Sequence, residues 1–192
     1  MSIKNIIDIG AHNGTTKSES KKYLNRDGYQ VYHIEPNPYL QEDLNKLDSI
    51  KIDKAISDFL GTAKFYYDKR GFVNREKGSK KHLKKGMRGS LEKDEKHINE
   101  FLSEDFTEVE VITLDELIKS LNIESIYLLK IDTEGTDYKI LKKYSWTIKP
   151  NIIKTEDYFV TNEDKYKLLE NNGYKLKNQN LKECNSTWTL IQ

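Results

Sequence analysis

The stretch Ile6-Ile7-Asp8-Ile9-Gly10-Ala11-His12-Asn13-Gly14-Thr15-Thr16 decides how this chain folds. An apolar run ends around an acid, and a Gly-x-x-x-Gly turn follows. The run reads as a strand that delivers the chain to the carboxyl edge of a sheet. Gly10 permits a tight turn there, and Gly14 lets backbone approach a ligand. Such a turn suits an adenosine-bearing cofactor. It departs from the dinucleotide fingerprint G-x-G-x-x-G, because position 12 is His. The D-x-G-x-x-x-G form fits S-adenosylmethionine, which has no pyrophosphate to cradle.

Outward from this turn, strands and helices alternate. Lys4 to Ile9 is the first strand, and Lys17 to Asn25 is expected to be its helix. Gln30 to Ile34 is a second strand, halted at Glu35-Pro36-Asn37-Pro38, and Tyr39 to Leu47 resumes as a helix. Ile50 to Ile56 is a third strand. Gly61 to Tyr67 and Val109 to Ile112 read as added strands. Thr113 and Glu116 form a capping box for the next helix. Ser125 to Ile131, Thr136 to Tyr144, Asn151 to Thr155 and Asn162 to Asn171 continue as strand, helix, strand, helix. Tyr174 to Leu176 and Thr187 to Ile191 close the chain as strands. The alternation implies an α/β fold with a doubly wound, mostly parallel sheet and an antiparallel edge strand.

The chain has 192 residues, enough for one domain with its own core. With 32 Lys and Arg against 31 Asp and Glu, the net charge of +1 gives no general case for a nucleic-acid partner. One cysteine, Cys184, excludes an internal disulfide framework and suits a reducing compartment. No run is long and apolar enough to span a membrane. These features read as a soluble, cytoplasmic protein. Residues 68–107 break the rhythm as a long insert, basic from Lys69 to Arg88, and read as a lid or acceptor-binding segment. A solvated basic surface is the plain alternative.

Ligands of open parallel sheets bind at the carboxyl ends of the strands. Those positions carry Asp8 and the Gly10 to Gly14 turn, Glu35, Asp53 or else Ser57-Asp58, Asp132 with Glu134, and Glu156-Asp157. Glu35 can accept hydrogen bonds from two ribose hydroxyls. Asp132 and Glu134 flank the cleft, where a carboxylate can take the proton of an attacking hydroxyl. They can equally orient the next helix or bind the cofactor's amino group. Asp132 with Asp157 could hold a divalent cation. His33 reads as packed inside its strand. No zinc-ligand spacing and no nucleophile elbow occur.

Several ordered motifs together resemble the FkbM-type S-adenosylmethionine-dependent methyltransferases. They are Ile7 to Thr16, Tyr32 to Pro38, Ala55-Ile56-Ser57-Asp58 with Gly61, Val111 to Leu117, and Leu129-Lys130-Ile131-Asp132-Thr133-Glu134-Gly135. Met87-Arg88-Gly89-Ser90-Leu91 is similar to a small Gly-Ser-Leu signature of that family. The resemblance implies a class I, Rossmann-like methyltransferase domain over 1–192 with a seven-stranded sheet. It implies that Asp8, Gly10, Ala11, His12, Asn13 and Gly14 line the methionine and ribose portions of the cofactor, with Glu35 and Pro36 at the ribose. Ala55, Ser57 and Asp58 would lie by the adenine. Asp132 and Glu134 would face the methyl group and, with Glu156 at the end of the fifth strand, are the candidate catalytic residues, Asp132 also touching the cofactor.

The resulting expectation is O-methylation of a hydroxyl, foremost on a sugar of a glycan, glycolipid or nucleotide sugar. The basic insert suits an acceptor bearing phosphate or carboxylate. Tyr66, Tyr67, Phe72, Tyr158 and Phe159 are candidates to stack on sugar faces. An RNA-binding or RNA-modifying role for Lys77 to Arg88 is the alternative. It is weakened by the absence of interleaved aromatics. An NAD-dependent oxidoreductase is a third reading, disfavoured by the missing middle glycine.

Overall fold

Ile6, Ile7, Asp8 and Ile9 are all buried, so this strand is covered on both faces, as a central parallel strand must be. A computed structural model describes residues 3–16, 18–67, 89–92, 106–157, 162–180 and 184–191. In it β1 (Lys4–Ile9) lies between β2 (Tyr29–Ile34) and β8 (Leu128–Ile131), parallel to both. Beyond β2 comes β3 (Ile50–Ile52); beyond β8 come β9 (Ile152–Glu156), β11 (Asn185–Leu190) and β10 (Tyr174–Asn180). Seven strands thus form one mostly parallel sheet. Its antiparallel member is β11, which runs against both β9 and β10. The reversed strand is therefore second from the edge, where an edge position was expected.

A second sheet of four strands was not foreseen. It joins β4 (Ala55–Ile56), β7 (Phe106–Ile112), β5 (Gly61–Tyr67) and β6 (Gly89–Ser90) in that order. The expected third strand splits at Asp53-Lys54: β3 pairs with β2, while β4 pairs with β7. Ala55, Phe65, Tyr67, Val109 and Val111 form a separate small core here. Of the long insert only residues 89–92 and 106–107 are described, so the segment read as a lid or acceptor-binding element lies largely outside the described residues.

Helices α2 (Leu114–Ser120), α3 (Asp137–Lys143) and α4 (Asn162–Asn171) follow the expected pattern. Thr113 Oγ1 accepts the Glu116 N–H at 3.2 Å, one half of the capping box. Leu114, Leu117, Ile118, Ile140, Leu141 and Leu169 share a core with Ile7, Ile9, Leu129, Ile131 and Ile153. The other face of the sheet buries Ile6, Val31 and Leu128 against Tyr23. Leu24, Tyr29 and Tyr127 pack on the same face. In place of the helix expected over Lys17 to Asn25 stands one 3-10 turn, Ser20–Tyr23, and α1 (Gln41–Leu44) is a single turn. The segment around Ser20 lacks an apolar stripe, and its serines turn inward to polar partners instead. No helix among the described residues is long and apolar enough to cross a membrane.

Candidate active site

Strand register assembles the site. Ile9 lies opposite Ile34 on one side and Ile131 on the other, and Ile131 lies opposite Thr155. One residue further along each strand stands Gly10, Glu35, Asp132 or Glu156. Parallel pairing thus sets the glycine turn and three carboxylates in a row along one edge.

The turn is shaped by backbone. Gly10 has φ of 72°, and a Cβ there would come within 1.9 Å of the Asp132 carbonyl oxygen. No other residue fits so close to that strand end. The Gly10 and Ala11 N–H groups both donate to the Ile34 carbonyl, at 3.0 and 3.2 Å. Asn13 spends its side chain inside the loop: Oδ1 accepts from the Thr15 and Thr16 N–H groups at 3.1 and 2.8 Å. Gly14 also serves the packing behind the turn. A Cβ there would meet Leu47, His33 and Leu44 within 3.1 Å, so its bare backbone makes room for packing.

Glu35 closes the turn. Its Oε2 accepts the His12 N–H and its Oε1 the Asn37 N–H, each at 2.9 Å. Burial pushes the Glu35 carboxyl up to about 7, against the pull of those two donors. A carboxylate offers about four lone-pair positions. Two are used, which leaves capacity for a vicinal diol. Pro36 is half-buried beside it. Ala55 and Ser57 are buried in the second sheet, with Ser57 N–H bonded to the Ile112 carbonyl at 3.1 Å. Asp58 is exposed and accepts from Ser57 Oγ at 3.1 Å.

Asp8 is fully buried, and both its oxygens are engaged within the protein. Lys130 Nζ lies 3.0 Å from Oδ1, and Ser18 Oγ donates to Oδ2 at 2.8 Å. Lys130 also reaches Asp132 Oδ2 at 3.3 Å. Burial opposes the charge on Lys130, yet the two carboxylates hold its pKa above the usual lysine range. A hydrogen-bond chain continues from Ser18 to Ser20, to His33 and on to Ser49. His33 is packed, as its place in the strand indicated. The sequence signal for Lys130 was a lysine inside the otherwise apolar run Leu128-Leu129-Lys130-Ile131, where a buried cation requires a buried partner.

Asp132, Glu134 and Glu156 bring carboxylate oxygens within 4.8 Å of one another. At that spacing the oxygens either share protons or receive one hard cation. Burial, then the charges of Asp132 and Glu134, push Glu156 well above the usual carboxylate range. Its Oε2 is buried and takes no hydrogen bond from the described residues. Asp137 braces this group: it accepts from Thr133 N–H at 3.0 Å with one oxygen and from Glu156 N–H at 3.0 Å with the other. The pairing of Asp132 with Asp157 as cation ligands is not what the fold brings together. Asp157 is bound to Lys165 at 2.8 Å, Tyr166 at 2.9 Å and Ser186 at 3.0 Å. Of the candidate stacking aromatics, Tyr67 is core and Tyr66 packs edge-on to Phe106, while Phe72, Tyr158 and Phe159 lie outside the described residues.

A family model described as the methyltransferase FkbM domain matches residues 8–176. The fold is similar to the crystal structure of a methyltransferase FkbM from Methylobacillus flagellatus KT, with a TM-score of 0.55 and 12% identity. That likeness covers 98% of this chain and 43% of the other, so the chain spans under half the length of that protein. At such low identity it speaks for the fold alone. No curated protein matches the chain. The family match takes in the glycine turn, Glu35, Lys130 and all three clustered carboxylates, and on that breadth the chain belongs to the FkbM methyltransferase family.

Proposed function

We propose that this chain is an S-adenosylmethionine-dependent O-methyltransferase built on a class I, Rossmann-like, doubly wound domain. The acceptor in this reading is a hydroxyl of a sugar, in a glycan, glycolipid or nucleotide sugar. The observation that carries the reading is the row formed by Gly10, Glu35, Asp132 and Glu156 at the ends of adjacent strands. The donor set suits the cofactor. Glu35 retains acceptor capacity for ribose hydroxyls, and the tight Gly10 turn lies between it and the carboxylate trio. When bound, S-adenosylmethionine supplies a methyl group on a sulfonium sulfur.

The chain's own residues then have three tasks. The backbone of Gly10 to Gly14, with Glu35 and Pro36, fixes the cofactor's position. Ala55, Ser57 and Asp58 are assigned to the adenine end. The trio receives the proton that the acceptor hydroxyl loses as its oxygen takes the methyl group. Burial, with the neighbouring charges, favours protonated Glu156, while Lys130 Nζ stands 3.3 Å from Asp132 Oδ2.

The test is calorimetric titration with S-adenosylhomocysteine, followed by methyl transfer to a pool of monosaccharides and nucleotide sugars. Binding with turnover of a sugar supports the reading. Turnover of RNA in place of sugars would favour the RNA-modifying alternative, whose basic stretch lies outside the described residues.

A further inference from the structure

The Gly89-Ser90-Leu91 signature has a structural task at each position. Gly89 pairs with Tyr67, and a Cβ on it would come within 2.2 Å of the Phe65 ring. Leu91 packs on the small core of the second sheet. Ser90 is buried between these anchors. Its Oγ donates to the Glu134 backbone carbonyl at 2.8 Å and accepts the Glu92 N–H at 3.0 Å. A second tie joins the same segments, Glu92 to Lys139 at 2.5 Å.

The receiving residue is under conformational strain. Glu134 has φ of 52°, in the left-handed region that residues with a Cβ enter only when their surroundings hold them there. In that conformation its carboxylate stands within 4.8 Å of Asp132 and Glu156. Relaxation to the right-handed region would swing the Cβ, and the carboxylate with it, away from the other two. The contact from Ser90 acts on the peptide that would have to turn.

We propose that Ser90 is a positioning residue, whose hydroxyl holds Glu134 in its left-handed turn and so keeps the carboxylate trio assembled. The Gly-Ser-Leu segment then links the insert to the catalytic carboxylates. The proposal rests on the methyltransferase reading for its consequence in turnover, but not for its structural part.

The experiment compares the full chain with Ser90→Ala and Ser90→Thr, which keeps the hydroxyl and suits a strand. Amide hydrogen exchange at 133–137 should rise about tenfold in Ser90→Ala and return towards the parent rate in Ser90→Thr. Exchange at 10–14 and affinity for S-adenosylhomocysteine should stay within about twofold. With a sugar acceptor from the pool, kcat should fall about tenfold or more at unchanged KM for S-adenosylmethionine. In a Glu134→Gln background the serine change should add little. Unchanged exchange in Ser90→Ala, or no recovery in Ser90→Thr, would overturn the proposal. Parent protein that binds no S-adenosylhomocysteine yet shows the exchange pattern would defeat the methyltransferase reading and still support the hold on Glu134.

Discussion

The glycine turn and the carboxylate trio stand at the ends of neighbouring strands, yet they are stabilised in opposite ways. In the turn the groups pair from within: Asn13 caps Thr15 and Thr16, Glu35 takes two N–H groups, and Asp8 binds Lys130. In the trio three acids crowd together, and one oxygen of Glu156 takes no hydrogen bond from the described residues. The turn is a preformed mould. The trio is held at an electrostatic cost, of the kind that proteins concentrate where a proton or ligand is to be received. Lys130 joins the two regions, touching Asp8 in one and Asp132 in the other.

Breaking that join should have the largest effect. Lys130→Met leaves the Asp8 carboxylate buried without its cation, and a loss of about 3–5 kcal/mol in stability is expected from urea unfolding. Retention of parent stability would mean that the pair is not an anchor. The trio should respond in the reverse sense. Glu156→Gln stands in for the protonated carboxyl, so the melting temperature should hold at neutral pH and exceed the parent's only at higher pH, while turnover falls about 100-fold or more. A variant that is both less stable and fully active would remove the distinction between the two regions.

Glu35 gives the comparison a pH signature. Burial raises its pKa from 4.5 to about 7, so the folded protein keeps a proton that the unfolded chain has released. Stability from this group is complete below the unfolded value and is lost as pH rises through the folded one. The decline amounts to up to about 3 kcal/mol. Glu156, raised in the same direction, extends the decline to higher pH. Glu35→Gln should flatten the slope between about pH 5 and 7 in urea titrations. The smallest effect is expected at Asn13→Ala, which removes an internal loop cap and costs about 1 kcal/mol with little change in cofactor affinity.

Much of this arrangement was legible in the sequence, for identifiable reasons. The central strands announced themselves because burial on both faces demands unbroken apolar runs, and residues just beyond them fall at the carboxyl edge of the sheet by necessity. Length and polarity misled around Lys17 to Asn25 and Tyr39 to Leu47, where hydrogen bonds of Ser18 and Ser20 to Asp8 and His33 on the sheet, and of Asn37 within its own turn, stand in place of full helices. The division of Ile50 to Ile56 between two sheets depends on pairing with β7, a long-range partner that local pattern does not encode. Lys130 left a visible trace, a charge in a buried strand. The bond from Ser90 to Glu134 spans 44 residues and left none.

The most direct measurement is calorimetric titration of the protein with S-adenosylhomocysteine, with Glu35→Ala beside it. Micromolar binding that this substitution weakens tenfold or more is the predicted result, a change of about 1.4 kcal/mol. A folded parent protein with no affinity, or a variant that binds as tightly as the parent, would contradict the assignment of the turn and Glu35 to the cofactor.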